Sequence, residues 1–144
     1  MRYAVLLVTI IALLTTLLPA TAGDSDLGQL IPGTWTIAPN ERTASGELTF
    51  GADGRYVMNE TLKDGTGVGR KGEYRLDEST KPARIDLCLE SCDQAGAEWT
   101  TLFCILRADS DDSLVLRSSE DGKYPAEFKA DGPGTMVLSR VAEE

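Results

Sequence analysis

Past Pro32, no stretch of this chain keeps a helical period over about ten residues. Short apolar–polar alternations recur instead between turn signals. That pattern restricts the chain to an all-β fold. Strand-like segments run from Gly33 to Ala38, Ser45 to Phe50, Arg55 to Leu62, Val68 to Leu76, Arg84 to Glu90, Trp99 to Arg107, around Leu114 and Leu116, and from Thr135 to Val141. Gly51-Ala52-Asp53-Gly54 and Asp64-Gly65 are hairpin turns, because Asp-Gly tolerates the positive φ such turns need. Lys81-Pro82 breaks the chain, Ser91 to Glu98 is a polar loop, and Asp109 to Asp112 is an acidic turn. Ser118 to Phe128 reads as a loop or a turn of helix.

The alternation assigns faces in several segments. Leu48 and Phe50 oppose Glu47 and Thr49; Gly72, Tyr74 and Leu76 oppose Lys71, Glu73 and Arg75. Ile85, Leu87 and Leu89 are expected inside, with Asp86, Cys88 and Glu90 outside. The run Leu102-Phe103-Cys104-Ile105-Leu106 hides which face of the sixth strand is inner. Eight strands with short connections predict an antiparallel up-and-down barrel, which also removes exposed sheet edges. A β-sandwich is the competing all-β answer.

The first residues address the chain. Arg2 precedes an apolar run from Val5 to Leu18, and Pro19-Ala20-Thr21-Ala22 ends in an Ala-x-Ala pattern. This predicts a secretory signal peptide over residues 1–22, cleaved after Ala22, and a secreted or periplasmic protein. The apolar run is short of the ~20 residues that a membrane span needs, so no span is expected in the mature form. Residues 23–31 read as a short polar tail or a brief turn, and 32–144 as one barrel domain.

The chain holds 14 Lys and Arg against 23 Asp and Glu, a net charge of −9. Loss of Arg2 with the leader makes this about −10. Such a domain repels nucleic acid and anionic lipid; it either steers cationic partners or simply stays soluble.

In an oxidising compartment, two of Cys88, Cys92 and Cys104 are expected to pair. Cys88–Cys104 is the favoured bridge, on consecutive strands able to face each other across a hairpin. Cys92–Cys104 would clip the loop to the sixth strand. Cys88–Cys92 would need a tight turn, because four extended residues span ~13 Å, beyond disulfide reach.

The chain has no histidine, which removes Ser-His-Asp and Cys-His catalysis and the usual catalytic zinc sites. Cys88-x3-Cys92 lacks the redox Cys-x-x-Cys spacing. Gly65-Thr66-Gly67-Val68-Gly69 has no following Lys-Ser/Thr, so it reads as a hairpin and not a phosphate loop. Asp109, Asp111 and Asp112 lack the glycine and terminal Glu of an EF-hand. No catalytic group, metal or cofactor is expected.

Several motifs occur in order: Gly33-Thr34-Trp35, Leu48-Thr49-Phe50, Gly72-Glu73-Tyr74-Arg75-Leu76-Asp77, Pro82 with Ile85-Asp86-Leu87, Pro125 with Glu127-Phe128, and Val137-Leu138-Ser139-Arg140. Together they resemble a small lipocalin-like domain family of unknown function found in secreted planctomycete-type bacterial proteins. The likeness spans nearly the whole mature chain. One departure is visible: such domains often carry a Cys at the end of the seventh strand, where Arg117 and Ser118 stand here. The resemblance implies a lipocalin-like barrel and no substrate. It also implies that Arg140 crosses the Trp35 ring and closes the barrel base, a cation–π contact of about 0.5–2 kcal/mol, with Gly33 allowing close backbone approach.

Two classes of function survive. In the first, the barrel binds one small hydrophobic molecule, with Phe50, Tyr74, Leu87 and Leu116 as candidate cavity residues. In the second, the chain contacts a secreted or envelope protein, either inhibiting a hydrolase through the 23–31 tail or serving as a structural envelope domain.

Overall fold

In the computed structural model, the strand alternations close on one another. The structure describes residues 26–90, 92–96, 98, 100–130 and 132–143. The leader proposed for residues 1–22, the start of the tail, and Trp99 lie outside the described residues.

The strands are β1 (Gly33–Ile37), β2 (Thr43–Phe50), β3 (Arg55–Leu62), β4 (Gly67–Asp77), β5 (Ala83–Glu90), β6 (Thr100–Ser110), β7 (Ser113–Ser118) and β8 (Thr135–Arg140). They form a closed barrel in sequence order, every neighbouring pair antiparallel. This is the expected up-and-down barrel, and the sandwich is excluded. Closure comes from β1 against β8, where Trp35 pairs with Arg140 and Ile37 with Leu138.

The interior follows from the period of two. Leu48 and Phe50 on β2, Tyr56 and Met58 on β3, Ile85 and Leu87 on β5, Cys104 and Leu106 on β6, Leu114 and Leu116 on β7, and Leu138 on β8 form one buried cluster around Trp35. Tyr74 and Leu76 pack against it from β4.

Three expectations change. Of the stretch before Pro32, residues 26–31 take the brief-turn alternative and not that of a polar tail. Asp26 caps a one-turn helix, α1 (Leu27–Leu30), by accepting from the Gln29 N–H. Leu27 and Ile31 enter the core, Ile31 with no exposed surface. The helix plugs one end of the barrel, called the base here, because Leu27, Leu30 and Ile31, the apolar side chains of this segment, leave water by packing against the core there.

Second, β6 runs on to Ser110 through a register shift after Ala108, so the acidic turn shrinks to its last residues. Its inner face carries Leu102, Cys104, Leu106 and Ala108. Ile105 is equally buried, yet on the outer face. There the 119–134 loop, with no helix among its described residues, folds across β5–β7. Tyr124 meets Phe103 edge-on at 5.0 Å, and the Arg84 and Arg107 guanidinium groups lie over the Tyr124 and Phe128 rings.

Third, Leu89 is half-buried outside the core cluster. A register shift between Cys88 and Glu90 ends the alternation there.

Candidate functional site

The base assembles as the end motifs suggest. The Arg140 guanidinium stands 4.2 Å from the centre of the Trp35 ring. Its Nη2 donates to the Leu30 carbonyl at 2.6 Å, its Nη1 to Pro32 at 3.3 Å and its Nε to Asp111 at 3.1 Å. The Trp35 Nε1–H donates to Ile31 O at 2.9 Å, which satisfies the one polar atom of a fully buried ring. Gly33 has φ +133, and a Cβ there would stand 2.9 Å from Arg140 Nη1. Gly33, Trp35 and Arg140 therefore meet as a clamp that holds α1 under the barrel. This end is sealed by packing and is structural.

The cysteines pair differently from the favoured arrangement. Cys88 bonds to Cys92, with the Cα atoms 5.9 Å apart. The extended-chain distance does not apply, because β5 stops at Glu90 and the chain turns at Cys92 and Asp93. Cys88 cannot reach Cys104: on β6 it sits opposite Thr101, while Cys104 sits opposite Ile85 and faces inward. Cys104 is a free, buried thiol. Burial, with Asp86 nearby, pushes it up to about 12, so it carries no thiolate reactivity at neutral pH.

The proposed cavity residues are brought together, but as core. Phe50, Leu87 and Leu116 are about 1% exposed and belong to the central cluster. Tyr74 stacks edge-on against Phe50 at 5.0 Å and donates its hydroxyl to the Gly51 carbonyl. None of the four lines the recess at the opposite end.

That recess lies in the barrel mouth, away from α1, and has a volume of about 480 Å³. Met58, Leu102 and Met136 give it apolar walls; Thr43, Glu60 and Arg70 add polar groups. The strands set these positions. Tyr56, Met58 and Glu60 alternate inward along β3. Arg70 shares parity with Gly72, Tyr74 and Leu76 on β4 and stands directly opposite Met58. Glu60 is 8% exposed and accepts at Oε1 from the Thr43 hydroxyl at 3.0 Å. Arg70 is half-buried and, among the described residues, has no hydrogen-bond or ion-pair partner. Its field reaches the neighbouring Tyr56: burial raises that phenol above its ordinary value, and Arg70 pulls it back down.

Sequence reasoning missed these residues, although a signal existed. Extending the Gly72/Tyr74/Leu76 parity back by two residues reaches Arg70, and the Tyr56/Met58 parity forward reaches Glu60. A charged residue on an inward parity of a barrel strand marks a wet mouth or a site.

Among the described residues no helix is long and apolar enough to cross a membrane. No protein family, curated protein or solved structure matches this chain.

Proposed function

We propose that this chain is an exported, non-enzymatic binding protein that holds one small, largely apolar molecule in the open mouth of its barrel. The observation that carries this reading is the recess of about 480 Å³ walled by Met58, Leu102 and Met136. Its size falls in the range of small-molecule sites, and its apolar wall is edged by polar and charged side chains, among them Glu41, Arg42, Glu60, Arg70 and Glu120. The opposite end is plugged by α1 and the Arg140 clamp, which leaves the mouth as the entrance. Binding is favoured over catalysis because the chain lacks histidine, and its free thiol is buried and protonated. The Cys88–Cys92 bridge fits an oxidising compartment, consistent with the proposed leader. The proposed kinship with lipocalin-like domains of secreted proteins accords with the same barrel. A cleft-invading inhibitor segment is limited to residues ahead of Asp26, because Asp26 to Ile31 are held at the base.

Native mass spectrometry of the protein recovered from its own compartment, before and after denaturation, tests this. A reproducible extra mass that denaturation removes is expected. The neutral dye 1-N-phenylnaphthylamine should also brighten on binding, and Leu102→Glu should weaken that. A bare mass together with no dye uptake would refute the reading.

A further inference from the structure

The inner wall of the mouth carries two opposite charges that do not neutralise each other, while the exposed Glu41, Arg42 and Glu120 stand at its rim. Glu60 and Arg70 lie on adjacent antiparallel strands, both on the inner face. Their register partners are Val68 and Met58, so the two are diagonal neighbours. Residues so placed have Cα atoms ~7–8 Å apart, within reach of long side chains. Yet no ion pair joins them among the described residues; the Glu60 carboxyl takes its hydrogen bond from the neutral Thr43 hydroxyl instead. No described residue donates to Glu60 Oε2 or accepts from the Arg70 guanidinium.

Glu60 is largely buried and only its Oε1 meets a donor, so when an occupant displaces water from this recess the carboxylate calls for a further donor and the guanidinium for an acceptor. An occupant that brings only an anion satisfies Arg70 and leaves Glu60 beside it. An occupant that brings only a cation does the reverse. A purely apolar occupant strips water from both groups and replaces neither hydrogen bond.

We infer that the mouth recognises a small amphipathic zwitterion, an apolar amino acid or a close derivative. Its carboxylate meets the Arg70 fork, its ammonium meets Glu60, and its apolar side chain lies on Met58, Leu102 and Met136. The planar guanidinium suits a carboxylate, which accepts two parallel N–H bonds from it. The occupant is short: past Met58 the interior belongs to the packed cluster of Trp35, Leu48 and Phe50. This inference rests on the mouth as the ligand site.

The test is calorimetric titration of the purified protein with three probes that share an eight-carbon frame: 2-aminooctanoate, octanoate and octylamine. Dye uptake is followed in parallel. The amino acid should bind at least tenfold tighter than either single-charge probe. Arg70→Gln should reduce it to the level of octylamine, and Glu60→Gln to the level of octanoate, with unfolding curves unchanged. The comparison among probes on the wild-type protein needs no variant, so a misfolded Glu60→Gln does not obscure the result. Octanoate or octylamine matching the amino acid would overturn the zwitterion. Dye uptake with no preference among the probes would also overturn it, while leaving the mouth as an apolar site. Failure of the dye and of every probe would remove both readings.

Discussion

Arg140→Ala should unlock the barrel base without touching its mouth. The residue makes three hydrogen bonds to carbonyls, two of them to the segment that carries α1, and covers the Trp35 ring. A hydrogen bond from a charged donor contributes ~1.5–3 kcal/mol when well buried, and the cation–π contact ~0.5–2 kcal/mol. The side chain is 26% exposed, so water replaces part of each and the contributions do not simply add. About 3 kcal/mol is the expected loss, after that discount. In a domain of this size that lowers Tm by ~10 °C. Arg140→Lys keeps the charge but cannot reach Leu30, Pro32 and Asp111 together, so about half the loss should remain. Urea unfolding followed by tryptophan fluorescence gives both values. An alanine variant within ~1 kcal/mol of wild type, beyond the scatter of surface substitutions, would show that α1 and Trp35 hold the base unaided. A lysine variant equal to wild type would show that charge, and not the fork, matters.

Three further outcomes follow from the side-chain environments. Peptide mapping without reduction should recover Cys88 linked to Cys92, with Cys104 alkylated only after unfolding; alkylation of Cys104 in the native protein would contradict its burial. Cys88→Ala with Cys92→Ala should cost about 2 kcal/mol, the loop-closure value for so short a ring, read by thermal unfolding; no loss would mean the β5–β6 turn forms unaided. Tyr124 is raised to about 12 by desolvation and then by its hydrogen bond to Asp86. A folded phenol above its unfolded value near 10 adds stability that is full below pH 10 and is lost as pH climbs towards 12. Tyr124→Phe should therefore flatten the decline in stability between those values, and an unchanged slope would rule out that linkage.

The strand count and the barrel were legible because alternation needs only neighbours in sequence. In β2, β3 and β4 one face met the core and the other met water, so polarity reported the face. Trp35 and Arg140 were legible as partners through the resemblance, and the β1–β8 closure put them opposite each other. Where both faces of a strand are covered the signal vanishes. Leu102 to Leu106 is apolar throughout because the core takes Leu102, Cys104 and Leu106, while the 119–134 loop roofs Phe103 and Ile105.

The disulfide, the helical plug and the mouth were decided by tertiary structure. Cys88 and Cys92 meet only because β5 ends in a register shift and a turn, which no rise per residue foretells. Leu27, Leu30 and Ile31 sit in a short, mostly polar stretch of sequence, and only the barrel gives them an open end to fill. Glu60 and Arg70 were single charges in alternating strands. Antiparallel pairing across β3 and β4 put them side by side inside one recess, since the distance between residues ten apart in the chain is set by strand register and not by sequence.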